Sequence, residues 1–127
     1  MRLLVVDDFR TMRRVLRGLL RDMGLDDVAE AGVGAAALER LRAEPVDLVI
    51  TDIEMPTLNG FELLSAIKKD ERLRHVPVLM LAAEARKDEI VRCIQAGAAG
   101  YLVKPFTRET LEEKLRAALP AAFEVAG

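Results

Sequence analysis

Three aspartates and one lysine follow short apolar runs, at positions where they could act together. Asp7-Asp8 follows Leu3–Val6, Asp52 follows residues 47–51, and Lys104-Pro105 follows residues 101–103. A fourth run, residues 78–81, is followed by Ala82-Ala83-Glu84. Three carboxylates in one pocket repel, and each raises its neighbours' pKa values. A lysine ammonium cancels one of those charges, and a divalent cation cancels the rest. All-oxygen ligands that leave room for water and phosphate suit Mg²⁺. A carboxylate can also be a nucleophile and form an acyl phosphate. Phosphoryl transfer needs little beyond positioning and charge neutralisation, which a metal and a lysine provide.

These residues meet only if the runs between them form a suitable frame. Leu3–Val6 is short and wholly apolar, as a buried parallel strand is. Met12, Val15, Leu16, Leu19 and Met23 then recur at helical spacing, with Gly24 at a C′ position. Residues 28–31 form a weaker strand. Ala35, Leu38 and Leu41 mark a helix that ends before Pro45. Residues 47–51 form the third strand. Asn59-Gly60 turns the chain into a helix marked by Phe61, Leu64 and Ile67. Residues 78–81 form the fourth strand. Ile90, Val91 and Ile94 mark a helix closed by Gly97. Residues 101–103 form the fifth strand. Thr107 can N-cap a last helix with Leu111, Leu115, Ala118 and Leu119 on one face.

Five βα units in regular alternation predict an α/β fold, a doubly wound five-stranded parallel sheet with helices on both faces. Such sheets bind ligands beyond the carboxyl ends of their strands. That edge is where the aspartates and the lysine fall. Residues 1–119 are expected to be one domain, and 120–127 a short frayed tail.

Composition sets the outer limits. The chain has 127 residues, 51% of them hydrophobic, enough for one buried core. Its formal net charge of −2 gives no broad basic surface, so nucleic-acid binding is not expected. One cysteine, Cys93, excludes an internal disulfide and fits a reducing compartment. No apolar run approaches the roughly 18 residues of a membrane span. The opening MRLLVVDD meets two aspartates too soon for a signal peptide. A soluble cytoplasmic domain is the expectation.

The segments VVDDF, TMRR, DIEMP, NGFELL, PVLML, AAEA, QAGA and VKPFT-ETLEEKL together resemble the receiver domain of bacterial two-component response regulators. Among receivers the chain most resembles the stand-alone chemotaxis regulators. The match runs over nearly the whole chain, and the ordered set DD, D and KP at successive strand ends is specific. The resemblance implies a flavodoxin-like sheet of order 2-1-3-4-5. It implies phosphorylation of Asp52 by a histidine kinase, with Mg²⁺ held by Asp7, Asp8, Asp52 and the backbone carbonyl of Glu54. Lys104 would pair with the phosphoryl oxygens, and the Lys104-Pro105 bond would be cis. Output would pass through a surface that includes Lys87, Tyr101 and Lys114. The natural downstream partner is a flagellar motor switch or another motility component, bound by a monomer. The chain would catalyse only its own phosphorylation and dephosphorylation, and would not be a turnover enzyme.

The sequence departs from the family pattern at two places, Ala82 and Glu54, and the first has the larger consequence. The family carries Thr or Ser at the end of the fourth strand, where its hydroxyl bonds the phosphoryl group. Here that position is Ala82. Thr51 is no substitute, since adjacent strand residues point to opposite faces. A lost hydrogen bond to a charged group removes about 1.5–3 kcal/mol, much of what biases a two-state switch. Two expectations follow: a working acceptor whose phosphate couples weakly to output, or a phosphate-independent binding module. Tyr101 resembles the family's switch aromatic, and beside the small Ala82 it is expected inward whether or not phosphate is present. Glu54 is expected to affect phosphate lifetime.

Other features have plainer readings. Gly32-Val33-Gly34 with Ala37 has the form of a dinucleotide fingerprint, but it follows the second strand, and a tight turn explains it. Asp52-Ile53-Glu54 is a distant echo of the aspartate-nucleophile phosphatases. His75 is expected solvated, Cys93 in the core or half buried, and the five methionines in ordinary packing. Arg13, Arg14, Arg17 and Arg21 make the first helix basic, a solvated face that could also dock an acidic partner.

Overall fold

The computed structural model describes residues 1–123. Their elements alternate as β1 (Leu3–Val6), α1 (Arg10–Asp22), β2 (Val28–Ala31), α2 (Gly34–Ala43), β3 (Leu48–Asp52), α3 (Gly60–Lys69), β4 (Val78–Ala82), α4 (Lys87–Gln95), β5 (Gly100–Val103) and α5 (Arg108–Ala118). The strands form one parallel sheet in the order β2-β1-β3-β4-β5. This is the expected flavodoxin-like winding. No described helix is long and apolar enough to cross a membrane.

The period of two along each central strand builds two cores. Leu3, Val5, Leu48, Ile50, Leu79, Leu81 and Leu102 pack with Leu16 and Leu20 of α1 and Leu111 and Leu115 of α5. Leu4, Val6, Val49, Val78 and Met80 face the other way, onto Ala37 and Leu41 of α2, Phe61, Leu64 and Ile67 of α3, and Cys93 of α4. Buried on both sides, β1, β3 and β4 have no room for polar residues except at their carboxyl ends.

The helices start and stop for local reasons. Asn59 caps α3 in a reciprocal box: its side chain accepts from the Glu62 N–H, and the Glu62 carboxylate accepts from the Asn59 N–H. Thr107 caps α5, accepting from the Thr110 N–H at 3.1 Å. Gly24 and Gly97 take positive φ, +85° and +87°, after α1 and α4.

Three expectations need correction. Strands β3 and β4 each run one residue further than their apolar pattern, to Asp52 and Ala82. The parallel ladder continues through Asp52 opposite Leu81 and Ala82 opposite Val103, so polarity did not end the strands. On α4 the buried residue is Cys93, while Val91 and Ile94 are 43% and 70% exposed. The described part of the tail is not frayed. Pro120–Phe123 forms a 3-10 turn, the Phe123 ring packs on the α1/α5 core, and the Arg116 guanidinium lies 4.5 Å above it. Residues 124–127 lie outside the described residues.

Thr57 has φ of +69°, a left-handed conformation that a β-branched residue rarely adopts. Asparagine tolerates it far better. Thr57→Asn should therefore raise stability by about 1 kcal/mol, read as a higher denaturation midpoint at unchanged slope.

Candidate functional site

The carboxyl ends of β1, β3 and β5 bring the predicted residues together. Asp7 and Asp52 are buried, at 0% and 4% exposure, while Asp8 is exposed. One carboxylate oxygen from each of the three lies within 4.8 Å of the other two. The Lys104 Nζ reaches in from the end of β5, 3.2 Å from Asp52 Oδ2 and 3.3 Å from Asp7 Oδ2. The Lys104-Pro105 bond is cis. The Lys104 N–H donates to the Ala82 carbonyl at 2.8 Å, so the lysine backbone is tied to the end of β4.

Backbone donors hold the acids in place. The Phe9 N–H donates to Asp7 Oδ1 at 2.9 Å, and the Glu54 N–H to Asp52 Oδ1 at 3.3 Å. The Thr51 hydroxyl donates to the Asp52 carbonyl, its side chain being on the other face of the strand from Asp52. In the sequence Arg13 is one arginine of a basic face. Its guanidinium donates to the Asp7 carbonyl at 2.7 Å and is itself held by Glu30 at 3.0 Å. No sequence spacing announces that contact.

Burial raises the Asp52 pKa above the usual carboxylate value; Lys104 opposes the rise and Asp7 adds to it. Folded Asp52 thus holds its proton more tightly than the unfolded chain does. Its burial costs nothing below the unfolded carboxyl value near pH 4. The cost develops as pH rises through the folded value and is complete above it. Asp52→Asn should accordingly be more stable than the parent at pH 7 and indistinguishable from it near pH 3, by thermal melts at the two pH values.

The donor set fits a hard divalent ion. It is all oxygen, and three carboxylates with one lysine leave two uncompensated negative charges. The exposed Asp8 keeps one side open to water. The Glu54 side chain is also exposed and lines a cleft of about 70 Å³ with Ala82, Ala83, Glu84, Arg86 and Glu89.

The remaining predicted residues lie elsewhere. Ala82 is buried at 1% exposure and carries no hydroxyl. Tyr101 on β5 is half buried, with its hydroxyl at the β4–α4 loop, 2.8 Å from the Glu84 carbonyl and 2.9 Å from Glu89 Oε1. Lys87 opens α4 and Lys114 is on α5, both outside the carboxylate cluster. His75 is exposed. Cys93 is buried, its thiol pushed up to about 11 by burial. Gly34 is explained by packing, since a Cβ there would lie 2.5 Å from Leu58 Cδ2. The fingerprint-like glycine therefore has a steric role.

Comparison with known proteins gives a consistent picture. A family model described as response regulator receiver domain matches residues 3–116. The chemotaxis protein CheY of Pseudomonas aeruginosa is 50% identical over 115 residues, covering 91% of this chain and 93% of that protein. The chemotaxis protein CheY-3 of Vibrio cholerae is also 50% identical over 115 residues, covering 91% and 88%. The solved structure of Vibrio cholerae CheY4 has a TM-score of 0.86 at 34% identity, covering 93% of this chain and 98% of that one.

Proposed function

This chain belongs to the response regulator receiver domain family, and from that premise we propose that Asp52 accepts a phosphoryl group from a histidine kinase in a chemotaxis or motility pathway. One arrangement carries the reading: the Lys104 ammonium set between Asp52 and Asp7, with Asp8 open to solvent beside them.

In this reading an Asp52 carboxylate oxygen attacks the phosphorus of a phosphohistidine. The P–N bond breaks, the imidazole leaves, and an acyl phosphate remains. Lys104 pairs with the phosphoryl oxygens. Asp7, Asp8, Asp52 and the Glu54 carbonyl would hold Mg²⁺, which neutralises charge and orients the phosphoryl oxygens. Water later hydrolyses the acyl phosphate, and the exposed Glu54 side chain at the cleft mouth tunes how fast. The chain acts on itself and turns over no metabolite. It works as a cytoplasmic monomer. Its signal passes by protein binding through α4, β5 and α5, including Lys87, Tyr101 and Lys114, to a flagellar motor switch or another motility component.

Phosphoramidate, whose P–N bond stands in for phosphohistidine, tests the acceptor chemistry. The expected product with Mg²⁺ is a phosphoprotein labile to hydroxylamine, absent when EDTA is added. A hydroxylamine-stable adduct, or one indifferent to EDTA, would contradict it.

Ala82 favours a second reading, a phosphate-independent binding module on the same fold. With no hydroxyl at the end of β4, an Asp52 phosphate has one fewer means of drawing in the β4–α4 loop. Amide exchange in α4 and β5 with and without phosphorylation separates the two. Protection that changes only after Ala82→Thr is introduced would support the second reading.

A further inference from the structure

The Tyr101 hydroxyl has a carboxylate partner on α4. It carries one hydrogen and faces two acceptors, the Glu84 carbonyl at 2.8 Å and the Glu89 carboxylate at 2.9 Å. Glu84 belongs to the β4–α4 loop, and Glu89 to the first turn of α4. The one hydroxyl therefore links β5, the loop and the helix.

Helix α4 needs such a link. Its N-cap, Arg86, makes no side-chain capping bond. Its only fully buried residue is Cys93, one turn beyond Glu89 on the side that faces the sheet. Arg92 holds a second point, with its guanidinium 3.9 Å above the Phe61 ring of α3. Val91 and Ile94 are exposed and add little burial. So few contacts seat the helix that a charged-acceptor hydrogen bond is a large share of them.

We propose that Glu89 is a positioning residue: its carboxylate holds the Tyr101 hydroxyl against the β4–α4 loop, fixing both the ring and the amino-terminal end of α4. The proposal rests on the receiver reading only for its consequence, that the aromatic on the output face is already placed without a hydroxyl at residue 82. The charged groups that share clefts with Glu89 are Glu54, Glu84, Arg86 and Arg92, and among the described residues the side-chain hydrogen bond to its carboxylate comes from Tyr101.

The chain offers a clean probe, since Tyr101 is its single tyrosine and there is no tryptophan. Burial and then the Glu89 contact push the Tyr101 phenol up to about 12. Absorbance titration of the full chain, with circular dichroism reporting the fold, would compare the parent with Glu89→Ala, Glu89→Gln and the neighbouring control Asp88→Asn. The Tyr101 midpoint should fall by about one unit in Glu89→Ala. It should fall in the same direction in Glu89→Gln, which keeps an acceptor and loses the charge. It should stay in place in Asp88→Asn. If the fold opens before the phenol ionises, tyrosine emission at pH 7 decides. It should rise in both Glu89 variants, because a hydroxyl donating to a carboxylate is quenched. An unchanged midpoint and emission in both Glu89 variants would overturn the proposal, as would an equal change in Asp88→Asn. The same shifts should appear in an Asp52→Asn background, so this result stands apart from whether Asp52 accepts phosphate.

Discussion

Gly60→Ala should cost about 2–3 kcal/mol of stability and disturb the Asp52 pocket with it. A Cβ at Gly60 would lie 2.5 Å from the Asp52 carbonyl oxygen and 2.8 Å from the Ile53 Cα. Both are backbone atoms of the strand end, so no flexible side chain can yield. The Gly60 N–H also donates to the Ile53 carbonyl at 2.8 Å, which presses α3 onto the end of β3. Relief must come from moving the helix or moving Asp52. The Asn59–Glu62 capping box pins the helix start, so the strand end takes part of the displacement. Urea denaturation would show the loss as a lower midpoint at similar slope. A loss below about 0.5 kcal/mol would mean that the junction is softer than its contacts imply.

Lys104→Ala should change metal and phosphoryl chemistry in opposite directions. Nζ is within 3.3 Å of both Asp7 and Asp52, so it competes with any cation for the same oxygens. Removing it should tighten Mg²⁺ binding about tenfold, since one unit charge at contact range in a partly solvated site is worth about 1–2 kcal/mol. The same removal takes away the group that would meet the phosphoryl oxygens. Acceptance of phosphate should then slow about 10²-fold. Calorimetry for Mg²⁺ and the rate of phosphoprotein formation give the two numbers. Weaker Mg²⁺ binding with unchanged phosphorylation would place Lys104 outside the chemistry.

The parts of this site that the sequence made legible share one property. Asp7, Asp8, Asp52 and Lys104 each follow an apolar run, and in a parallel sheet every run delivers its end to the same edge. A parallel sheet with helices on both faces follows from the same alternation, whereas the strand order 2-1-3-4-5 follows from the family resemblance. What was not legible depends on how a helix is rotated and on contacts between distant elements. Glu89 reaches Tyr101 because Cys93, a weak signal beside Val91 and Ile94, is the residue that turns inward. Arg13 reads as one more arginine of a basic helix until the Asp7 carbonyl is seen beneath it. Phe123 lies after a proline in an alanine-rich end, and only the core surface beside Arg116 explains its order. The strand ends at Asp52 and Ala82 are not legible because backbone pairing continues past the large apolar side chains.

Intact mass after incubation with acetyl phosphate and Mg²⁺, run in parallel on the parent chain and Asp52→Asn, tests the central claim most directly. The account predicts a gain of one phosphoryl group in the parent, none in Asp52→Asn, and circular dichroism that is the same for both. A folded parent that gains nothing, or an Asp52→Asn chain that gains as much, would contradict Asp52 as the acceptor.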